Sequence, residues 1–145
     1  MTEAILFISI LVVATLVFLT LQYSLLLPPK KGLPILMYHR ISDHHADGLT
    51  VTSEQFERQL GYLRKQGYRS LDFATLAKMR DSDQPLTGRH VIITFDDAYL
   101  NFRDLALPLL KKHGFRASVF VPVAYIGKIN AWDRGNDPLM DASDL

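Results

Sequence analysis

The sequence predicts an α/β fold that is preceded by a single transmembrane helix, and three observations carry this prediction. The segment 4–27 contains no charged residue and consists mostly of Leu, Ile, Val, Ala and Phe. From residue 34 onward, short apolar runs alternate with segments that have helical periodicity. The strongest of these runs, 91–95, is followed at once by two aspartates. Such alternation is typical of parallel strands joined by crossover helices.

The apolar segment near the N-terminus predicts a membrane anchor over residues 1–27. As a helix, segment 4–27 spans about 36 Å, which exceeds the ~30 Å hydrocarbon core of a bilayer. It also lacks the polar face of a helix that packs against a soluble core. A cleaved signal peptide needs a basic stretch before the apolar run and a cleavage site of small residues after it. Here Glu3 is the only charged residue before the run, and the sequence at the end of the run is Leu-Leu-Leu-Pro-Pro over 25–29, so we expect an uncleaved, single-pass anchor in the cell membrane.

A short charged linker over residues 28–33 follows the anchor, and its charges leave the orientation open. Lys30 and Lys31 come directly after the helix, which by the positive-inside rule places the C-terminal side in the cytoplasm. The function implied below requires that side to be extracytoplasmic, and both orientations stay open. The chain has 16 basic and 15 acidic residues and no cysteine. We therefore expect no nucleic-acid partner, and disulfide chemistry does not fix the compartment.

Local patterns predict the elements of the soluble domain, residues 34–145. Thr52 and Gln55 have the spacing of a capping box at the start of a helix, and Asp72 is a suitable cap for a shorter one. Pro108 lies inside a helical pattern, so we expect that helix to be kinked or to start late. The predicted order is a strand over 35–38, a helix over about 52–66, a strand over 68–71, a helix over 72–79, a strand over 91–95, a helix over about 101–113, a strand over 117–121 and the opening of a helix over 141–145.

Polar residues that follow two of these strands form the candidate site. His39 follows the first strand, and Asp96 and Asp97 follow the third. In a barrel of parallel strands these ends meet at one face. Adjacent carboxylates raise one another's pKa, and a divalent metal relieves this by binding one of them while the other acts as a general base on water. The alternative, which is the more common for an isolated Asp-Asp pair, is that Asp97 caps the next helix and Asp96 is solvated in a loop.

The carboxylate pair lies among segments that together resemble a known family. The strand and its end read Thr94-Phe95-Asp96-Asp97, and the first strand reads Ile-Leu-Met-Tyr-His-Arg-Ile over 35–41. Further matching segments are 56–68, 107–114 and 117–121. In this order they resemble the NodB-homology polysaccharide deacetylases of carbohydrate esterase family 4, whose first motif is Thr-Phe-Asp-Asp-Gly. The run 35–41 resembles the subgroup that acts on exported poly-N-acetylglucosamine.

This resemblance covers about residues 33–145 and implies a fold, a reaction and roles. The fold is the N-terminal portion of a deformed, NodB-like (β/α) barrel. The reaction is the metal-dependent hydrolysis of N-acetyl groups on an N-acetylglucosamine-containing polysaccharide, with zinc as the implied ion. Asp96 matches the catalytic base and Asp97 the metal-binding aspartate. His39 matches a histidine near the mouth of the active site, and no substrate-binding residue is assigned.

Two departures from the family pattern qualify the expected activity. Ala98 stands where the family usually has glycine, and alanine resists a positive φ, so we expect a slightly different turn. The family's His-x-x-x-His ligands are not found, so we expect a chain that lacks the second half of its active site. The alternative function is a catalytically inactive, membrane-anchored remnant or a carbohydrate-binding module. A receiver-type phosphoacceptor domain is disfavoured because its acid pair would follow the first strand.

Overall fold

The computed structural model describes residues 2–22, 32–44, 47–83, 85–132 and 135–145. The chain divides into two compact units, Met1–Gly32 and Leu33–Leu145, and each is described by itself. The end of the predicted anchor (23–27) and most of the predicted linker (28–31) lie outside the described residues.

The described part of the first unit forms helix α1 over Thr2–Gln22. Its length of about 32 Å matches the hydrocarbon core of a bilayer. The hydroxyls of Ser9, Thr15 and Thr20 each donate a hydrogen bond to the carbonyl oxygen four residues earlier, so these polar groups are satisfied within the helix. By length and composition α1 can cross a membrane. A signal sequence near an N-terminus has the same properties, so the helix alone does not establish an anchor.

The second unit is built on a sheet of four parallel strands. Its strands are β1 (Ile35–Tyr38), β4 (Tyr68–Ser70), β5 (Arg89–Phe95) and β6 (Ser118–Val119). β5 lies in the middle, with β1 along one side and both β4 and β6 along the other. The register aligns Tyr38 with Phe95 and Phe95 with Val119. The carboxyl ends of β1, β5 and β6 therefore meet at one edge, and the predicted α/β fold with parallel strands is confirmed.

Two helices cover one face of this sheet and form its core. They are α2 (Ser53–Lys65) and α4 (Leu107–His113). Alternate residues of β5, namely Val91, Ile93 and Phe95, belong to the buried cluster beneath them. The aromatic ring of Phe95 lies at the centre, with the rings of Tyr38, Phe56 and Phe102 at centroid distances of 5.3, 5.6 and 4.8 Å. This packing fixes the end of β5, the strand that carries the carboxylate pair.

The helix starts agree with the local chemistry of the sequence. Thr52 and Gln55 form the predicted capping box of α2. The Asp72 carboxylate accepts a hydrogen bond from the Thr75 amide at 2.6 Å and caps α3, Phe73–Asp81. Pro108 is the second residue of α4, and the π-helical turn over Phe102–Ala106 leads directly into this helix, so the backbone is helical from residue 100 to His113. The expected late start is therefore not observed, and the irregularity near Pro108 takes the form of the π-helical turn.

The structure departs from the sequence prediction in three places. A small parallel pair, β2 (Arg40–Ile41) and β3 (Thr50–Val51), was not predicted because two residues give no periodic signal. β6 is shorter than the predicted 117–121 strand. The segment 141–145 forms a turn rather than a helix. There the Asp141 carboxylate accepts hydrogen bonds from the amides of Ser143 and Asp144, which competes with helical bonding.

Candidate active site

The two aspartates lie at the carboxyl end of β5, where the strand leaves the sheet. The Asp96 amide donates a hydrogen bond of 2.9 Å to the carbonyl oxygen of Tyr38, the last residue of β1. This bond continues the β1–β5 ladder by one residue beyond the Tyr38–Phe95 pair. His39, which follows Tyr38, therefore lies beside Asp96 at the same edge of the sheet. The structure thus brings the three residues singled out from the sequence to one edge.

Asp96 and Asp97 border a cavity of about 620 Å³ on the face of the sheet that α2 and α4 leave open. Both residues are half-buried. His39 is also half-buried, but it is not among the described residues that line this cavity. The remaining lining is mainly apolar and consists of Ile35, Met37, Phe73, Thr94, Phe120, Val121 and Pro122. Apolar walls lower the local dielectric constant, which strengthens the interaction of the carboxylates with a cation or a polar reactant.

A strained turn carries the pair away from the strand. Asp97 and Ala98 both have positive φ angles, of 69° and 51°. Residues other than glycine pay about 1–3 kcal/mol each for this conformation, and such strain is concentrated at functional sites. Ala98 therefore adopts the positive φ that we expected alanine to resist. Asn101, at the start of the π-helical turn, makes no side-chain capping hydrogen bond.

The strained turn is held by a returning segment of the chain, residues 137–140. The Met140 amide donates to the carbonyl oxygen of Ala98, and the Leu100 amide donates to that of Pro138, both at 2.9 Å. Tyr99 and Leu139 form an antiparallel bridge between these two bonds. The segment following the carboxylate pair is therefore fixed by backbone hydrogen bonds to residues 138 and 140.

Beside the turn lies a buried arginine that the sequence prediction had given no role. Arg40 is 7% exposed, and its guanidinium binds Asp137 at 2.9 Å and also Asp47. It lies 5.3 Å from the ring centroid of Tyr99. Burial lowers the pKa of Arg40, but the hydrogen bond to Asp137 and the nearby carboxylate charges outweigh burial and raise it. No local sequence pattern predicts this cluster, because Arg40 and Asp137 are 97 residues apart in the chain.

The described residues match only part of a divalent metal site. The carboxylates of Asp96 and Asp97 offer oxygen donors of the kind that zinc and other divalent ions accept. Within the described ranges, however, no group of three or more His, Cys, Asp or Glu side chains could hold an ion. A protein-bound zinc ion usually has three or four protein ligands. The carboxylate pair therefore fits a metal site in chemistry but does not complete one.

Comparison with known proteins places residues 83–134, which include the carboxylate pair, in a match to the family model described as polysaccharide deacetylase. YxkH of Bacillus subtilis, whose name assigns it to the polysaccharide deacetylases, is 40% identical over 96 residues. That alignment covers 66% of this chain and 33% of YxkH. The poly-beta-1,6-N-acetyl-D-glucosamine N-deacetylase of Escherichia coli K12 is 29% identical over 97 residues, which cover 66% of this chain and 14% of the enzyme.

The fold of this chain is also similar to those of solved deacetylase structures. IcaB from Ammonifex degensii superposes with a TM-score of 0.68 at 27% identity, covering 79% of this chain and 47% of IcaB. The deacetylase PplD of Streptococcus pyogenes, solved in complex with acetate, gives a TM-score of 0.58 at 26% identity and covers 74% of this chain and 48% of PplD. These matches confirm the predicted resemblance to the NodB-homology polysaccharide deacetylases. The chain spans about a third or less of the curated relatives and about half of these two structures.

Proposed function

We propose that this chain carries the carboxylate pair of a metal-dependent deacetylase acting on an N-acetylglucosamine-containing polysaccharide. The observation that carries the proposal is the position of Asp96 and Asp97. Both lie at the end of the central strand and border an open apolar cavity, and both fall within the matched deacetylase segment 83–134. The name of the B. subtilis relative supports a polysaccharide substrate, and the name of the E. coli relative supports one that contains N-acetylglucosamine.

In this proposal the two carboxylates have different roles, metal binding for Asp97 and general-base catalysis for Asp96. Asp97 contributes one oxygen ligand to a divalent ion, with zinc the first candidate, and a bound ion would supply Lewis-acid polarisation of the acetamide carbonyl. Asp96 accepts the proton of the water molecule that attacks the acetyl carbon. The C–N bond then breaks, the sugar nitrogen takes up a proton, and the products are acetate and a free amine. His39, beside Asp96 at the edge of the sheet, has a supporting role at the mouth of the site.

The proposal extends to domain organisation and location. Residues 1–27 form a single-pass anchor, 28–33 a linker and 34–145 the deacetylase segment. An exported polysaccharide lies outside the cytoplasm, so the deacetylase segment must lie on the extracytoplasmic side of the membrane to reach it. The apolar helix α1 supports the anchor, and the orientation follows from the proposed substrate.

The second candidate function is a membrane-anchored carbohydrate-binding module without catalysis. The incomplete set of metal ligands among the described residues favours it. Two measurements on the protein isolated from its host separate the candidates, namely acetate release from β-1,6-linked N-acetylglucosamine oligomers and co-sedimentation with the same polymer. Acetate release supports the deacetylase. Binding without acetate release supports the module, and the absence of both contradicts the two assignments together.

A further inference from the structure

The strained turn at Asp97 and Ala98 needs a physical cause for its persistence. Two consecutive residues other than glycine with positive φ survive only when the surrounding structure over-determines them. On the strand side, the Asp96 amide is bound to the carbonyl oxygen of Tyr38. On the other side, the turn depends on segment 137–140, which supplies an acceptor to Leu100 and a donor to Ala98. Whatever fixes segment 137–140 against β2 therefore helps to fix the turn that carries the carboxylate pair.

Arg40 is the side chain that joins these parts. Its backbone belongs to β2, one residue after His39, and its guanidinium binds Asp137 at the start of segment 137–140. The same guanidinium binds Asp47 and faces the ring of Tyr99, which is 1% exposed and follows Ala98 directly. One planar cation thus contacts the residue that directly follows the turn and the segment that holds the turn.

The two carboxylates bound by Arg40 are themselves fixed. The Asp47 carboxylate also accepts hydrogen bonds from the Leu49 amide at 2.8 Å and the Thr50 hydroxyl at 2.7 Å. The backbone of Asp137 exchanges two hydrogen bonds with Asn130, which is 1% exposed. Arg40 is buried while its two carboxylate partners are partly exposed, and the hydrogen bonds that hold these partners allow the ion pairs to define a geometry.

We propose that Arg40 is a positioning residue for the carboxylate pair, acting through Tyr99 and Asp137 to hold the turn that aims Asp97. The catalytic consequence rests on the proposed function, whereas the positional claim does not. Lysine cannot reproduce this role, because a single ammonium lacks the planar fork that binds two carboxylates while it lies on a ring.

The test is amide hydrogen exchange of the full chain in detergent, measured in matched pairs of variants. Arg40→Lys removes the fork, and Asp137→Asn weakens only the link to segment 137–140. The matched controls are Arg103→Lys and Asp144→Asn, because Arg103 also bridges two aspartates, Asp104 and Asp144, but is half exposed. The reporters are the amides of Leu100 and Met140, whose acceptors are the carbonyl oxygens of Pro138 and Ala98.

The proposal predicts that Arg40→Lys and Asp137→Asn speed exchange of the two reporter amides by about tenfold or more, which reports local opening. The amide of Ile92, bonded to the carbonyl oxygen of Pro34 within the sheet, should exchange at the wild-type rate, as should all reporters in the control variants. Unchanged reporters in Arg40→Lys and Asp137→Asn would overturn the proposal. So would equal acceleration of Ile92, because the effect would then be a general loss of stability.

A kinetic readout adds the catalytic consequence. If the wild type releases acetate, Arg40→Lys should lower kcat while leaving KM unchanged, because the substrate still binds and only the aim of the carboxylates is lost. A rise in KM at unchanged kcat would overturn the catalytic part. If the wild type releases no acetate, the proposed function fails, and the exchange rates still decide whether Arg40 positions the turn.

Discussion

Asp96 and Asp97 lie at the carboxyl end of β5, at the edge of the sheet that also carries His39. Asp96 and Asp97 could be placed at a strand end because the run before them is β-branched and apolar. Their common edge with His39 followed from parallel strands alone. The conformation of the turn was less predictable. Alanine was expected to alter it, whereas Ala98 keeps a φ of 51° because backbone bonds to segment 137–140 hold it there.

The Arg40 cluster marks the limit of prediction at this scale. Its partners Asp47 and Asp137 are separated from it by 7 and 97 residues. Charged residues at such distances carry no periodicity, and only the folded chain brings them together. The sequence contained one indirect signal, the position of Arg40 directly after His39 at the end of a strand.

The metal affinity of residues 1–145 is a prediction at the residue scale. Because the described residues offer carboxylates but no group of three ligands, we expect this chain to bind Zn²⁺ with a Kd above about 1 μM. Asp97→Asn should remove the remaining binding, whereas Asp81→Asn, at an exposed acid paired with Arg80, should not. Isothermal titration with zinc alone measures both. A submicromolar Kd for the unmodified chain would contradict the prediction.

At the scale of elements, the helix ends were the most predictable feature. The capping box at Thr52 and the Asp72 cap both depend on short-range hydrogen bonding. The two-residue strands β2 and β3 and the turn after Asp141 were not predictable, because tertiary contacts and side-chain hydrogen bonds decide them.

Alanine substitutions at two glycines should change the free energy of unfolding in opposite directions. Gly114 ends α4 with a φ of 72°, and a Cβ there would meet no atom within 4 Å. Gly114→Ala should therefore cost about 1 kcal/mol of unfolding free energy through backbone strain alone. Gly61 lies inside α2, where a Cβ would make an ordinary 3.8 Å contact with His113. Gly61→Ala should stabilise by about 0.5–1 kcal/mol. Urea unfolding measures both, and a shift of the same sign in the two variants would contradict this reading.

The Asp72 cap predicts a pH dependence for α3. The hydrogen bonds from Thr75 lower the pKa of the Asp72 carboxyl below its ordinary value. Its folded-state pKa is therefore below its unfolded-state pKa. The stability it contributes is present above the unfolded pKa of about 3.9 and is lost as the pH falls through the folded value. Asp72→Ala should thus lower the urea midpoint more at pH 7 than at pH 3, with Asp81→Ala as the control. An equal decrease of the urea midpoint at both pH values would contradict the assignment of the ionised Asp72 carboxylate as the cap of α3.

At the scale of the whole molecule, the apolar helix and the α/β unit were both evident from composition and alternation. Which strand lies in the middle of the sheet was not, because strand order depends on contacts between distant segments. The proposed membrane location of the chain depends on helix α1. We expect the full protein to stay with membranes after alkaline carbonate washing, and deletion of residues 2–22 to release it. An intact mass that shows cleavage just after α1 would instead identify a signal sequence.

The central claim is that Asp96 is the base of an N-acetyl hydrolase. Its most direct test is the rate of acetate release from β-1,6-linked N-acetylglucosamine oligomers by the protein from its host, compared between wild type, Asp96→Asn and the control Asp81→Asn. The account predicts that Asp96→Asn lowers kcat by about 100-fold or more, the usual contribution of a general base, while Asp81→Asn keeps the wild-type rate. Acetate release by Asp96→Asn at the wild-type kcat would contradict it.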